Sequence, residues 1–351
     1  MIIKASIIGA SGYAGVELIR LLSQHPQVEI SQLISETYQD QSIAQVFPHL
    51  AKVITADFTR IDPVAIAAAS DVVFLALPHT AAAPLAEKLL AKGCKVIDLS
   101  ADLRLKDGAT YQQWYQHAPA SPELLQTAVY GLAEIGKRKQ IATANLIANP
   151  GCYPTASILA LAPLLVLDMV DLQAGPIILD AKSGVSGAGR SLSLATHFCE
   201  ISNSLSAYQI AGIHRHIPEI EQELSLLAHQ QLTIQFTPHL VPMPRGLMVT
   251  AYCKLKQVTN LEQIYASYAN YYQDSFFVRL TKQDLRPSTK AVIGTNFCNI
   301  SLHLDRRTNY VVIVSVIDNL LKGASAQAVQ NMNLMYGLTE HLGLEHIAIY
   351  P

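Results

Sequence analysis

Five short stretches of this chain hold residues whose types and spacing could do chemistry. In Ala148-Asn149-Pro150-Gly151-Cys152-Tyr153-Pro154-Thr155-Ala156, Leu146-Ile147-Ala148 reads as the end of a buried strand. Ile158, Leu161 and Leu165 follow at helical spacing. Asn149-Pro150-Gly151 is turn chemistry, and Pro154 suits a first helical turn, where its missing N–H costs nothing. Cys152 therefore sits at a strand-to-helix elbow, facing amides with no partner in the helix, an environment that favours the nucleophilic thiolate. The alternative is a cysteine buried as a small hydrophobe. In Gly212-Ile213-His214-Arg215-His216-Ile217-Pro218-Glu219-Ile220, two histidines flank an arginine just ahead of a helix whose first turn holds a carboxylate. His216 or His214 could move a proton, and Glu219, three residues after His216, could orient an imidazole. A histidine pair on extended chain could also chelate a metal, but no third ligand is evident, so no metal is expected.

The other three stretches suit a nucleotide, an anion and a flat ring or oxyanion. Gly9-Ala10-Ser11-Gly12-Tyr13-Ala14-Gly15 lies between an apolar strand and a helical pattern, the entrance of a dinucleotide-binding unit; a tight turn with no ligand is the plainer reading. At the tip of the next strand, where the adenosine ribose belongs, Ser35 is small and polar, but Glu36 follows and no Arg or Lys is close in sequence. Locally, NAD against NADP stays open. Arg104, in Asp98-Leu99-Ser100-Ala101-Asp102-Leu103-Arg104, lies just beyond a strand's carboxyl end and suits an anion, or else a surface ion pair with Asp102 or Asp107. Ser183-Gly184-Val185-Ser186-Gly187-Ala188-Gly189-Arg190 can let backbone approach a flat ring or an oxyanion, and Arg245 adds a cation in a proline-stiffened loop.

Elements to position these residues follow from the pattern. The early strands, such as Asp71 to Leu77, are continuously apolar, as central parallel strands should be, and alternate with helices. Past Cys152 the strands become rich in Val, Ile and Thr. Beyond Asp318-Asn319-Leu320-Leu321-Lys322-Gly323-Ala324 a long, amphipathic, alanine-rich helix is expected to return to the first domain. The expected architecture is an α/β Rossmann domain (residues 1–149 and 318–351) plus an inserted α+β domain (150–317). The chain's 351 residues are 50% hydrophobic and 15% charged, with net charge −2, which favours two real cores over a nucleic-acid or membrane-surface protein. Its five cysteines lie at 94, 152, 199, 253 and 298 without paired spacing, and the chain starts directly in a strand. Neither a disulfide framework nor a signal peptide is expected, and a cytoplasmic location follows.

Together with Pro150-Gly151-Cys152-Tyr153-Pro154-Thr155, the Gly9, Asp98, Ser183, His214 and Asp318 stretches resemble, in order and over essentially the whole chain, the N-acetyl-gamma-glutamyl-phosphate reductase family of arginine biosynthesis. That family is similar in architecture to the aspartate-semialdehyde dehydrogenases: a Rossmann domain and a catalytic and dimerisation domain. The resemblance implies NADPH-dependent reduction of N-acetyl-L-glutamyl 5-phosphate, with release of inorganic phosphate. Cys152 would form the thioester and His216 would move the proton. Gly9, Ser11, Gly12 and Tyr13 would hold the pyrophosphate region, Ser35 the ribose side, and Ser183, Gly184 and Asn319 would border the nicotinamide. Arg104 would take the phosphoryl group and Arg245 the substrate carboxylate, with His214 and Glu219 also at the substrate. A homodimer or homotetramer is implied. The competing functions are a related reductase of aspartyl or aminoadipyl phosphate, and a non-catalytic dinucleotide-binding sensor.

Overall fold

A computed structural model describes residues 2–282 and 285–350. The chain divides into two compact units, Met1–Pro150 with Ala324–Glu345, and Gly151–Gly323 with His346–Pro351.

Unit one is built on a parallel sheet of β1 (Ile3–Ile8), β2 (Val28–Ile34), β3 (Phe58–Thr59), β4 (Val72–Leu75), β5 (Lys95–Asp98), β6 (Val129–Tyr130) and β7 (Leu146–Ala148). Their order is β3-β2-β1-β4-β5-β7-β6, with every pairing parallel. All four residues of β4 are buried, because helices cover both faces of such a sheet. The helix Tyr13–Leu22 buries Leu18, Ile19, Leu21 and Leu22. The returning helix, Ala326–Met335, is short and buried on nearly every side, not the long amphipathic element expected. Its polar residues are tolerated because they find partners: the Gln327 and Asn331 amides both donate to Gly131 O, and that of Gln330 donates to Glu134.

Unit two holds a mixed sheet of β8 (Ile177–Gly184), β9 (Ser206–Ala207), β10 (Ile234–Val241), β11 (Leu247–Lys254), β12 (Val278–Leu280), β13 (Cys298–Asp305) and β14 (Tyr310–Ile317), ordered β12-β13-β14-β11-β8-β10-β9. Alternation along β11 sends Leu247, Val249, Ala251 and Cys253 into the core. They meet the helix Cys152–Val166, which is apolar all round and buried throughout except near its two ends, as a helix at a domain centre must be. Pro163 inside that helix has no N–H to give to Leu159 O, four residues back. The Tyr272 hydroxyl donates to Leu159 O instead (2.6 Å), and that of Tyr268 donates to Ala160 O (2.5 Å), so the interruption leaves no orphaned carbonyl in the core.

Candidate active site

Cys152 is the first residue of the helix Cys152–Val166, after an extended N-cap, Gly151 (φ −71°, ψ 160°), that has no side chain to cap the first amides. The thiol is half-buried. The chain passes so close at Gly323 that a Cβ there would lie 2.7 Å from Cys152 Cβ, so only glycine fits. A sulfur held at an uncapped helix start sees the unsatisfied amides and the positive end of the dipole, both of which stabilise thiolate.

Around it stands an aromatic cluster. The Tyr153 ring packs edge-on to His214 (centroids 5.6 Å apart), His216 (6.0 Å) and Phe236 of β10 (5.2 Å). The two histidine rings are 5.0 Å apart, and Tyr208 covers His214 from another side (5.6 Å). The hydroxyls of Tyr153 and Tyr208 are 3.2 Å apart. Burial, foremost, holds both phenols protonated: Tyr208 is pushed up to about 12, and Tyr153 also rises. Burial and then the charge of Arg215 push His214 down to about 4. Its Nδ1 accepts the backbone N–H of His216 (3.1 Å), so the neutral ring carries its proton on Nε2. A group of that pKa is a poor base near neutrality, which leaves His216, half-buried at the N-cap of the helix Ile217–Ala228, as the other imidazole beside Tyr153. Glu219, only 1% exposed, does not serve as an exposed ligand; its Oε1 accepts the Gly151 N–H (2.9 Å). Among the described residues no group of three His, Cys, Asp or Glu gathers as a metal cage.

Ser183, Gly184, Arg245 and Asn319 come together in the same unit. The Asn319 side chain accepts the Gly246 N–H (2.8 Å) and donates to Ser186 Oγ (2.9 Å), so it knits the glycine-rich turn after β8 to the loop before β11. Ser183 is buried and its hydroxyl donates to Gly184 O (3.1 Å). Arg245 pairs with Asp318, which is wholly buried and also accepts the N–H groups of Gly294, Leu320 and Leu321. The side chain expected to meet a substrate carboxylate thus already holds one, a partner that sequence spacing gave no means of finding.

Unit one holds Gly9, Ser11, Gly12, Tyr13, Ser35 and Arg104. Gly9 has φ +82°, and a Cβ there would strike Ala76 O at 2.2 Å. Gly12 differs: a Cβ would meet only Gly9 O, at an ordinary 3.5 Å, so the protein itself leaves space in front of the helix Tyr13–Leu22, whose N-cap has no side-chain hydrogen bond. That open cradle over free amides fits a pyrophosphate. The Ser11 and Ser35 hydroxyls are 2.8 Å apart, joining the glycine turn to the end of β2. Two expectations change here. Glu36 is drawn aside, its Oε1 accepting the Ile61 N–H (2.8 Å). A cation is also near after all: β3 pairs with β2 in the register Ile34↔Thr59, and Ser35 N donates to Thr59 O, which brings exposed Arg60 alongside Ser35. No local signal marks Arg60, since 25 residues separate it from Ser35.

Arg104 is no surface residue. It is 5% exposed, with Nε donating to Asn149 O and Nη2 to Leu99 O, each at 2.8 Å. Both carboxylates offered as its ion-pair partners have backbone partners of their own. Asp102 accepts the N–H groups of Thr80, Ala82 and Ala83 and the Tyr111 hydroxyl, while Asp107 caps the helix Gly108–Tyr115. Nearby Asp98 is fully buried, and desolvation pushes its carboxyl up to about 7.

Two family models match the chain in succession: the semialdehyde dehydrogenase NAD-binding domain over residues 4–144, and the semialdehyde dehydrogenase dimerisation domain over 152–319. The chain is 50% identical over 349 residues to a protein of Geotalea daltonii named N-acetyl-gamma-glutamyl-phosphate reductase, covering 99% of this chain and all of that one. A protein of the same name from Pelotomaculum thermopropionicum is 49% identical, with both chains fully covered. Among solved structures, aspartate semialdehyde dehydrogenase II of Vibrio cholerae superposes with a TM-score of 0.73 at 16% identity, over 96% of this chain and 99% of that one, a likeness of fold. Among the described residues no helix is long and apolar enough to cross a membrane.

Proposed function

The chain belongs to the N-acetyl-gamma-glutamyl-phosphate reductases of the semialdehyde dehydrogenase family, and from that premise we propose how its residues reduce N-acetyl-L-glutamyl 5-phosphate to N-acetyl-L-glutamate 5-semialdehyde and phosphate, a step of arginine biosynthesis. The observation that carries the reading is Cys152 at the first turn of an uncapped helix, next to Tyr153, whose ring packs on a histidine pair with His214 pinned neutral.

Cys152 attacks the acyl carbon as thiolate; the bond from that carbon to the phosphoryl oxygen breaks, phosphate leaves with the electron pair, and a thioester remains. A nicotinamide, when bound, supplies the hydride that takes the thioester to a thiohemiacetal. The carbon–sulfur bond then breaks, the aldehyde forms and the pair returns to sulfur. His216 accepts the thiol proton at the outset and handles the proton of the thiohemiacetal oxygen. Tyr153 and Tyr208, both held protonated, wall this pocket and exclude water. Arg104 serves the phosphoryl group by its charge, because the carbonyls of Asn149 and Leu99 engage its Nε and Nη2 without cancelling that charge. Gly9, Ser11, Gly12 and Tyr13 hold the pyrophosphate, with Ser183, Gly184 and Asn319 at the nicotinamide.

The cofactor is NADP in this reading. Arg60 beside Ser35 offers the 2′-phosphate a planar cation, and the Glu36 carboxylate is turned toward Ile61. A homodimer or homotetramer in the cytoplasm completes it. The test is phosphate-dependent reduction of NADP by the purified protein with N-acetylglutamate semialdehyde, run beside aspartate semialdehyde. Preference for the aspartyl substrate would reassign the reaction, and nucleotide binding with no turnover would leave a sensor.

A further inference from the structure

The helix that carries Cys152 lacks the usual means of closing its own N-terminus. In a capping box, a Glu or Gln at the third helical position reaches back to accept the N–H of the N-cap residue. Here the N-cap is Gly151 and the third position is Pro154, which has nothing to offer. The facing helix, Ile217–Ala228, packs against it and has Glu219 at its own third position, behind the N-cap His216. Glu219 would ordinarily serve the His216 N–H. That N–H is taken by His214 Nδ1 (3.1 Å), and Glu219 Oε1 accepts the Gly151 N–H (2.9 Å). Gly151, His214 and Glu219 are all buried, so water does not compete for these bonds.

We propose that Glu219 is a positioning residue that supplies the carboxylate half of a capping box to the nucleophile's helix from the neighbouring helix, and that His214 favours this by occupying the His216 N–H. One helix start then sets both reacting groups: His216 is its N-cap, and its third residue fixes the backbone one position before Cys152. This deepens the reading of Cys152 as nucleophile and rests on it. It also moves Glu219 and His214 from the substrate to the scaffold of the thiol.

Two variants separate reach from charge. Glu219→Gln keeps an acceptor oxygen at full length and loses the charge; Glu219→Asp keeps the charge and falls one methylene short of Gly151 N. Positioning predicts that Gln holds kcat within about threefold while Asp lowers it about tenfold or more, the scale of one buried hydrogen bond to a charged acceptor, with KM little changed. Iodoacetamide alkylation of the Cys152 peptide, followed by mass spectrometry across pH, should show an apparent thiol pKa raised in Asp and not in Gln. His214→Leu should raise it too, and Glu219→Asp added to His214→Leu should raise it little further. Activity retained in Asp and lost in Gln, a raised KM with unchanged Cys152 alkylation, or no effect of either variant would each overturn the proposal, as would fully additive effects with His214→Leu. Alkylation needs no substrate. A wild-type protein that reduces no acyl phosphate yet shows the Gln–Asp split would refute the proposed reaction and leave this inference standing.

Discussion

His214 is the residue whose environment gives the sharpest thermodynamic expectation. Its imidazole falls from an ordinary 6.5 to about 4 because it is buried among Tyr153, Tyr208 and Phe236, with Arg215 adding like charge. The other titratable group facing it is His216, the N-cap of the helix that follows. In the unfolded chain His214 takes up a proton as pH drops through about 6.5, whereas the folded chain resists until about 4. Its contribution to stability is therefore present above the unfolded value and is lost as pH falls through this window. Working from those two values, wild type should lose about 1 kcal/mol between pH 7.5 and 5.5, and about 2 to 3 kcal/mol by pH 4.5, from this group alone. His214→Asn removes the titration but keeps an oxygen that can accept the His216 N–H. It should start less stable at pH 7.5 through lost packing, then lose stability less steeply on acidification. Urea unfolding followed by circular dichroism at the three pH values gives the difference between the two proteins, in which all other titrating groups cancel. Parallel losses in wild type and variant would refute the picture of a buried neutral imidazole.

Three further expectations concern turnover and cofactor. His216→Asn should cut kcat about a hundredfold or more with NADPH binding intact, and His214→Asn should do less, as steady-state rates and nucleotide fluorescence titration will tell. If His214→Asn alone raises the apparent pKa of Cys152 alkylation, the acid/base role belongs to the other ring. Arg104→Lys should be a poor substitute, because an ammonium cannot reach Leu99 O and Asn149 O together from one rigid fork; saturation by phosphate left unchanged would remove Arg104 from the phosphoryl group. Arg60→Ala should lower kcat/KM for NADP about tenfold and leave NAD nearly untouched, whereas equal loss with both nucleotides would take Arg60 away from the 2′-phosphate.

What the sequence determined by itself was local chemistry and its periodic support. An Asn-Pro-Gly turn before Cys152 and a helical apolar pattern after it are sufficient to put a thiol at a helix start, since turn propensity and burial are properties of neighbouring residues. The glycine turn from Gly9 was legible for the same reason, and so was β4, whose side chains are apolar on both faces. Tertiary structure decided what those groups touch. Arg60 reaches Ser35 only through the register of β3 on β2, and Arg245 meets Asp318 across 73 residues of chain. The helix Ala326–Met335 buries four polar side chains where an amphipathic face was expected, because Gly131 O, Glu134 and the carbonyls of Glu340 and Leu342 receive them. Glu219 was visible as a helix-start carboxylate, and spacing pointed it at its own helix. Which N–H it accepts depended on His214 having claimed the nearer one, a competition between groups that only packing two helices together can resolve.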